Sequence, residues 1–478
     1  MSEFFHGARA TIRVNKSFAV TQAASGVVFA VGTAPVNQVA DWPEIAMATS
    51  FEEAKAQLGY SDDWDKFTLC EVMHTHFKKY GVGPIFLVNV ADPASSKTPV
   101  SPTSKTIVNG VVELPETAIA GTITVSDNGT ALVAGTDYEV YYEGGKCFIA
   151  AIPNGAMEEL TSVTVGYSSF TFTLSSLTDA VIGGYDTTTG KSSGIGLADD
   201  VYATFGVNPD ILIAPGFSHI QSVQAALNAK TMVNTLFRAM AIVDIDSSTA
   251  VTHTAAAAAK ASLGLNAPTE IACWPMVRDD DHIYHMSTHI AALMAQVDAQ
   301  NDDCPSEPQS NKPMLVTAAV LADGSEVRIN LSKANHLNAN GIVTALNFIG
   351  GFRSWGNFTC AWPESGDGVE CFISVRRMFH WVANSMILTY WEFVDNKLTR
   401  RLCETIADSA TVWLNQLTNG GHLYGGRVEF RQEENPDEDI MAGIIRPHLY
   451  IAPPGPAQEI SFILEYDASY VSTVLAGE

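Results

Sequence analysis

Cysteine is scarce in this sequence and is not arranged to form bridges. The seven cysteines are odd in number, scattered and never spaced as CxxC, which favours free thiols in a reducing compartment over a disulfide framework. Long apolar runs are also missing, because no stretch approaches the roughly 18 apolar residues of a membrane span. The start, MSEFFHGARA, lacks the pattern of a signal peptide. We therefore expect a soluble chain, made in the cytoplasm, with no membrane partner.

Basic residues are the second scarce group. The chain of 478 residues carries 27 lysines and arginines against 52 aspartates and glutamates, a formal charge of −25 at pH 7. A field of that sign repels nucleic acid and anionic lipid, so neither is an expected partner. The length suffices for about two to four domains, whose cores are large enough to fold without a metal or cofactor.

The sequence does contain a clear change of periodicity along its length. The first 90 residues alternate apolar strand patterns with helix signals, among them a capping box at Ser50 and Glu53. Residues 91 to 105 are rich in Pro, Ser and Thr, which indicates a linker. From Thr106 to Leu174, short β-branched segments alternate with turn signals. That pattern is typical of a small β-sandwich.

A second α/β pattern follows between about residues 211 and 300. Apolar strand patterns alternate there with helices, one of which we predict to be capped by Ser218, and residues 270 to 277 are predicted to form one strand. This alternation indicates a mainly parallel sheet covered on both faces, as in a doubly wound α/β domain. A further helix is predicted from about Leu398 to Leu417.

Both ends of the sequence show the alternation of half-buried strands. Residues 459 to 466 follow the stiff segment APPGP, which holds a chain extended. The side chains on their apolar face are Ile460, Phe462, Leu464 and Tyr466. Residues 11 to 16 alternate in the same way. A terminal strand needs a pairing partner, and the sequence alone does not identify one.

One stretch matches two catalytic motifs imperfectly. Residues 190 to 194, GKSSG, fit the G-x-S-x-G elbow in which Ser192 would be a nucleophile. The elbow requires an apolar strand before the serine, whereas the preceding GYDTTT is loop material. A phosphate-binding loop also fails, because Gly184 and Gly190 enclose five residues where the motif has four. A structural role is the better interpretation.

Histidines with metal-ligand spacing form another candidate. His285 and His289 stand one helical turn apart, with His282 nearby. HExxH is absent, and the acidic residues 279 to 281 suit the start of a helix, where they complement its dipole. A second set with ligand chemistry is Cys70, His74 and His76. Because Cys70 falls on an apolar face, we interpret it as a core thiol and expect no metal site.

The basic residues that are present concentrate in one part of the chain. They are Arg376, Arg377, Lys397, Arg400 and Arg401. They form either an ordinary exposed face with local ion pairs or a docking surface for an acidic partner.

Several stretches spread over the chain resemble the tail sheath proteins of contractile bacteriophages and of related phage-derived bacteriocins. They are FHGARATIRV, VVFAVGTAP, GGYDTTTGKSSGI, NPDILIAPGFS, PSEPQSNKPMLV, LNANGIVTALNFIGGFRSWGNFT and SVRRMFHWVANSM. Their order and spacing carry the resemblance, which spans nearly the whole chain. It implies that GGYDTTTGKSSGI is a scaffold loop, that the chain is not an enzyme and that it needs no cofactor.

The resemblance implies an α/β multidomain fold. Its parts would be a subtilisin-like doubly wound α/β domain without protease activity, an inserted β-sandwich, an α+β C-terminal domain, and extended N- and C-terminal strand arms. The implied ranges are 1–20 for the N-terminal arm, 21–97 for an N-terminal α/β domain, 98–175 for the β-sandwich, 176–335 for the subtilisin-like domain, 336–456 for the tube-facing C-terminal domain and 457–478 for the C-terminal arm.

The resemblance also implies a structural function. The chain would polymerise helically around a tail tube and contract to drive the tube through the host cell envelope for genome delivery. Its partners would be further copies, the tail tube protein, and baseplate and tail terminator proteins, in a virion tail assembled in the host cytoplasm. Family members share strands between subunits. Here those strands would contain Thr11, Ile12, Val14, Lys16, Ile460, Phe462, Leu464 and Tyr466, and we expect Lys397, Arg400 and Arg401 to face the tube.

Two other functions remain open at this point. One is a serine hydrolase that uses Ser192. The other is a non-contractile surface-layer or adhesin-like polymer, suggested by the β-sandwich. Only a contractile sheath would form hollow striated tubes that occur in long and short forms.

Overall fold

The computed structural model describes residues 19 to 233, 236 to 468 and 470. It has a mixed α/β architecture with several packed parts. The strand predicted at residues 11 to 16 lies outside the described residues. Within these ranges, no helix combines the length and the apolar character needed to cross a membrane.

The first half of the chain begins with an α/β segment and continues with strands only. The α/β segment contains β1 (Val28–Gly32), β2 (Ala46–Ala48), α1 (Phe51–Leu58), α2 (Thr68–Met73) and β3 (Ile85–Asn89). The strands that follow are β4 (Lys97–Thr106), β5 (Val111–Pro115), β6 (Thr124–Asp127), β7 (Thr130–Ala131), β8 (Tyr138–Glu143), β9 (Lys146–Ala151) and β10 (Ser162–Phe170).

The second half returns to mixed structure. Its first elements are α3 (Thr178–Ile182), β11 (Gly184–Asp186), β12 (Lys191–Ser193), α4 (Val201–Phe205), β13 (Ile211–Ile213), α5 (Gln221–Ala229), β14 (Met232–Val233), β15 (Phe237–Arg238), β16 (Met240–Asp244) and α6 (His253–Leu263). Next come β17 (Glu270–Cys273), β18 (Met276–Asp279), β19 (His282–Tyr284), α7 (Met286–Gln300), β20 (Ala318–Val320), α8 (Leu331–Ala339), β21 (Ile342–Asn347) and β22 (Phe352–Trp355). The last are α9 (Gly368–Cys371), α10 (Ile373–Tyr390), α11 (Arg400–Asn419), β23 (Gly425–Phe430), α12 (Asp437–Met441) and β24 (Pro447–Ala452).

The largest sheet has eight strands in the order β2-β3-β1-β13-β16-β17-β21-β22. The six inner strands are parallel, and the two edge strands run antiparallel to their neighbours. Helices α1, α2 and α7 cover one face, and α4, α5, α6 and α8 cover the other. The predicted mainly parallel sheet, buried on both faces, is therefore confirmed. Because β1 pairs with β13 and β17 pairs with β21, one sheet joins strands from three of the ranges proposed above.

Residues 97 to 170 form two small antiparallel sheets, in the orders β4-β10-β6-β7 and β5-β9-β8. The two sheets share one apolar cluster, which includes Val112, Ile149 and Val165. The linker predicted for residues 91 to 105 is wrong in its second part, because β4 begins at Lys97 and pairs with β10. Its prolines are tolerated since β4 is an edge strand, where a missing N–H breaks no ladder.

Two further local predictions are wrong. Helix α5 has Ile220 at its N-cap, whereas the hydroxyl of Ser218 donates to the buried carboxylate of Asp244 at 2.9 Å. Residues 270 to 277 form parts of two strands, β17 and β18, and not a single one. In both places a contact with another element decides the local structure.

Helix α7 begins at two buried carboxylates. Glu71 accepts from the backbone N–H of His285 and from the hydroxyl of Thr288, both at 2.6 Å, and Asp244 accepts from the backbone N–H of Ser287 at 2.9 Å. Negative charge there favours the helix dipole and satisfies free N–H groups. Residues 279 to 281, expected to supply this charge, lie instead at the turn between β18 and β19.

The histidines with metal-ligand spacing each bond to a different residue. His285 bonds to Glu71 through Nδ1 at 2.8 Å, and His289 bonds to the hydroxyl of Tyr80 through Nδ1 at 3.1 Å. Burial opposes charge on His285, but Glu71 outweighs it and raises its pKa to about 9. Burial, together with nearby Lys79 and two other histidines, lowers the pKa of His289 to about 3. The described residues contain no set of three or more His, Cys, Asp or Glu side chains placed to hold a metal ion.

The C-terminal helices are fixed to the large sheet by one buried arginine. Arg377 in α10 donates through Nη1 to Asp298 of α7 and through Nη2 to Asp210 at the start of β13, both at 2.9 Å. Asp210 also accepts from the backbone of Gly26 and Val27, where β1 begins. The guanidinium thus joins α10, α7 and two sheet strands. It is a structural group and does not belong to an exposed basic surface.

Replacing Arg377 with leucine should destabilise the fold strongly, because it leaves two buried carboxylates without their counter-charge. The expected loss is about 3 to 5 kcal/mol, measured as a fall in the thermal unfolding midpoint. Arg400→Leu is the matched control, since its side chain is 92% exposed, and it should leave the midpoint unchanged. Equal midpoints for the two variants would contradict this account.

Stability should fall as the pH drops from about 6.5 towards 4. In the folded chain, burial lowers the pKa of His74 and His76 to about 4 and that of His289 to about 3, while in the unfolded chain histidine titrates near 6.5. The unfolded chain therefore takes up these protons first, at a cost of about 1 to 2 kcal/mol per histidine by pH 5. His285 acts in the opposite sense, but most of its contribution is already present at pH 7.

The measurement is the thermal midpoint of the wild-type chain and of His289→Gln at pH 7 and pH 5. The glutamine variant should lose less stability between these values than the wild type. An identical pH dependence of the two proteins would show that His289 is not a neutral buried group.

Candidate assembly surfaces

The segment after β24, here called the terminal arm (residues 453–467), lies outside helices and strands. Its apolar side chains are almost fully exposed: Ile460 73%, Phe462 85%, Leu464 94% and Tyr466 80%. Ile463, on the other side of the predicted strand, is 94% exposed as well. Among the described residues no strand pairs with this arm. A contiguous exposed apolar segment of this kind marks an interaction site.

The arm leaves the body beside a small sheet. Strands β23 and β24 pair antiparallel over six residue pairs, from Gly425 with Ala452 to Phe430 with Pro447, and form a sheet of two strands. A two-stranded sheet is marginally stable alone. Among the described residues neither outer edge pairs with a further strand, and free edges are templates for another strand.

One face of this sheet packs on α11. Val428, Leu449 and Ile451 join the apolar cluster of α10 and α11, in which Trp381 and Trp413 lie 5.4 Å apart. The approach is close, since a Cβ at Gly426 would lie 3.1 Å from Leu414. The sheet is therefore held firmly while its edges stay open.

The other face of the small sheet carries polar side chains that stack on one another. The guanidinium of Arg427 lies 3.8 Å from the ring centre of Tyr450, whose ring is 4.4 Å from that of His448. His448 in turn contacts Glu434 at 2.8 Å. These cation–π and ion-pair contacts make the solvent-facing side of the sheet charged. An additional strand would therefore pair at an edge of the sheet and would not pack on this face.

The start of the chain is anchored close to the same helices. The backbone N–H groups of Thr21 and Ala23 donate to the hydroxyls of Thr389 and Ser385 in α10, both at 2.9 Å. Residues 21 to 23 thus run along α10. The predicted arm residues Thr11, Ile12, Val14 and Lys16 precede this anchor and lie outside the described residues.

The five basic residues grouped by the sequence do not form one surface. Arg377 is buried, and Arg376 is half-buried. Lys397, Arg400 and Arg401 are exposed at the start of α11, where Arg400 pairs with Glu404 at 2.7 Å. Cations at a helix N-terminus oppose the helix dipole. Their position is thus unfavourable for the helix itself, which favours a role outside the fold.

Ser192 lies in a short hairpin and not in an elbow. It stands in β12 opposite Tyr185 of β11, and Gly190 has the positive φ that closes the turn between these two strands. A nucleophile elbow connects a buried strand to a helix. Residues 190 to 194 therefore have the wrong backbone setting for nucleophilic catalysis.

Sequence comparison finds related proteins but no matching protein-family model. The tail sheath protein of Burkholderia phage BcepMu is 26% identical over 494 residues, which cover 100% of this chain and 99% of that protein. A putative prophage major tail sheath protein of Pseudomonas aeruginosa strain UCBPP-PA14 is 24% identical over 303 residues, 62% of this chain and 74% of that protein.

Comparison of structures agrees at the level of the fold. The sheath of an extracellular contractile injection system, PVC, in its contracted state, superposes with a TM-score of 0.59 over 98% of this chain and 100% of that chain, at 14% identity. The relatives are structural sheath proteins and not enzymes. Together with the order of matched stretches along the sequence, these similarities show that the chain resembles contractile tail sheath proteins over its full length.

Proposed function

We propose that this chain is the structural subunit of a contractile tail sheath. The observation that carries the proposal is the full-length similarity to a phage tail sheath protein, combined with the fold of a sheath in its contracted state. The subunit polymerises helically around a tail tube and associates with a baseplate at one end. It belongs to a virion and has no catalytic function.

The finer division of the fold is part of this proposal. The large sheet would correspond to a subtilisin-like α/β domain without protease activity, and the two small sheets at residues 97 to 170 to a β-sandwich. Their shared apolar cluster and the covered parallel sheet support this assignment. The domain ranges given from the sequence remain predictions.

The arms of neighbouring copies would complete the small sheet of β23 and β24. Among the described residues both edges of this sheet lack a further strand, and backbone pairing at an edge needs no particular side chain. An arm of about 15 residues extends roughly 50 Å, enough to reach an adjacent body. Each added strand contributes several hydrogen bonds of about 1 kcal/mol net. Burial of Ile460, Phe462 and Leu464 adds about 1.5 to 3 kcal/mol each.

Contacts of this head-to-tail kind generate rings and helices. If the polymer assembles in an extended state and is held there by baseplate, tube and terminator proteins, release allows the bodies to rotate into a better-packed arrangement. The shared strands keep the copies connected during that change. The tail assembles in the host cytoplasm. Its later contraction drives the tube through the host envelope for genome delivery.

Replacing the arm's apolar face should abolish tube formation without destabilising the subunit. In the triple variant Ile460→Ser, Phe462→Ser and Leu464→Ser, the unfolding midpoint should stay unchanged, because these side chains are at least 73% exposed in the free chain. Negative-stain microscopy should show striated tubes for the wild type and none for the variant.

A matched control changes the other face of the same segment. Ser461→Ala with Glu465→Ala leaves the apolar face intact and should preserve tubes. Normal tubes from the triple variant would contradict strand sharing through the arm. Absence of tubes from the wild type would instead contradict the proposed function.

Reversing the exposed charges at the start of α11 should weaken assembly around tubes. The variant Lys397→Glu, Arg400→Glu and Arg401→Glu replaces the surface expected to face the tube, while acidic residues at a helix N-terminus favour the helix. The monomer should therefore stay folded, and the number of sheathed tubes in a pull-down with purified tail tube should fall. Lys191→Glu, at an exposed position in β12, should assemble normally. Equal numbers of sheathed tubes for both variants would show that Lys397, Arg400 and Arg401 do not contact the tube.

A further inference from the structure

Two arginines that are close enough for their charges to interact lie where α10 meets the β14–β15 hairpin. Arg376 is in the first turn of α10, and Arg238 is in β15. Asn384, two turns further along α10, fixes β15 by accepting from the backbone N–H of Arg238 at 2.8 Å and donating to its carbonyl at 2.9 Å. Both arginines are half-buried, so their positions are set by packing and not by free rotation at the surface.

Neither guanidinium forms an ion pair or a hydrogen bond within the described residues. The Nε atom of Arg376 is buried without a partner. The neighbouring Arg377 is neutralised by Asp298 and Asp210. Burial lowers the pKa of Arg376, the charge of Arg238 lowers it further, and Glu370 opposes this without forming an ion pair.

His380 lies one turn of α10 after Arg376. It is buried, and both of its ring nitrogens lack a hydrogen-bond partner. Burial and the charges of Arg376, Arg238 and Arg377 lower its pKa to about 3. The ring is therefore neutral near pH 7. Both ring nitrogens of His380 and the Nε atom of Arg376 thus lack hydrogen-bond partners. Buried polar atoms of this kind favour the binding of a further hydrogen-bonding group.

This arrangement is unfavourable for an isolated chain. The protein has 52 acidic residues against 27 basic ones, yet among the described residues no carboxylate forms an ion pair with either of these two cations. Guanidinium groups bind carboxylates through paired hydrogen bonds, and such bonds are among the strongest polar contacts in proteins.

We propose that Arg238 and Arg376 are the receiving site for a carboxylate side chain of a second copy of this chain. The inference rests on the proposed function, because it requires a polymer. In a helical polymer each copy presents a different surface to the next, and a chain with a charge of −25 offers carboxylates over that surface. The contact forms only on assembly and supplies the counter-charge that the fold lacks.

The first test compares the effect of the arginines on the stability of the isolated chain with their effect on assembly. Arg238→Gln and Arg376→Gln remove the repulsion between like charges, so the unfolding midpoint of the isolated chain should stay equal or rise. The subunit concentration needed for tube formation should increase about tenfold, as expected for one lost charge-assisted contact. Arg278→Gln is the control, because Arg278 already pairs with Glu326, and it should assemble as the wild type does. A lower midpoint with normal assembly would show that the pair is structural and overturn the proposal.

The second test identifies the partner even if a glutamine variant folds poorly. Arg238→Lys keeps the charge and introduces an amine, which a carbodiimide joins to a carboxylate in contact, forming an amide while the reagent leaves as its urea. Assemblies are made from equal amounts of ¹⁵N-labelled and unlabelled copies of this variant. Cross-linked peptide pairs from position 238 that combine one labelled and one unlabelled chain support the proposal.

Two outcomes of this test count against the site. Pairs of uniform labelling with no mixed pairs, as expected for a link to Glu370 within one chain, overturn it, and so does the absence of any product at position 238. The wild-type assembly is imaged in the same experiment. If it is a polymer other than a contractile tube, the proposed function fails while the mixed cross-link still reports on the contact between copies.

Discussion

The fold depends on one buried cation placed among carboxylates that come from distant parts of the chain. Arg377 in α10 bonds to Asp298 in α7 and to Asp210 at the start of β13, and Ser25, ahead of β1, donates to Asp298. Breaking such a network leaves buried charges uncompensated, which proteins tolerate poorly. The C-terminal helices and the small sheet they carry are therefore oriented rigidly with respect to the large sheet. In the proposed contraction, a rotation of the body would therefore move β23 and β24 with it.

Local patterns in the sequence were sufficient for the elements but not for their long-range partners. The apolar runs near Val28 and Ile211 predict buried strands, because burial on both faces leaves no alternation, yet nothing local shows that these strands pair. The same limit explains the errors. Ser218 looks like a helix cap, but Asp244, 26 residues further on, binds its hydroxyl, and the carboxylate at the start of α7 comes from Glu71. Among the basic residues, Arg376 and Arg377 are adjacent in sequence and have opposite roles, which only their packing distinguishes.

The terminal arm leaves large apolar side chains in water, with Phe462 85% and Leu464 94% exposed. Among the described residues, the small sheet beside it has no third strand at either edge. An exposed apolar strand beside an open sheet edge is an aggregation risk for a monomer. It becomes a source of binding free energy once other copies pair with it. The isolated chain thus has the properties expected of a subunit whose stable state is a polymer.

A contractile polymer must keep some contacts and exchange others. Contacts made equally well before and after contraction cannot favour either state, since only a difference in interaction free energy shifts an equilibrium. The arm is attached through the prolines that follow β24 and, in the described residues, has no strand partner in its own body, so its pairing can be the same in both states and can serve as the permanent link. The free-energy difference must then come from contacts between the rigid bodies. Charged contacts at half-buried positions such as Arg238 and Arg376 suit that role, because their strength depends steeply on whether a partner excludes water from them.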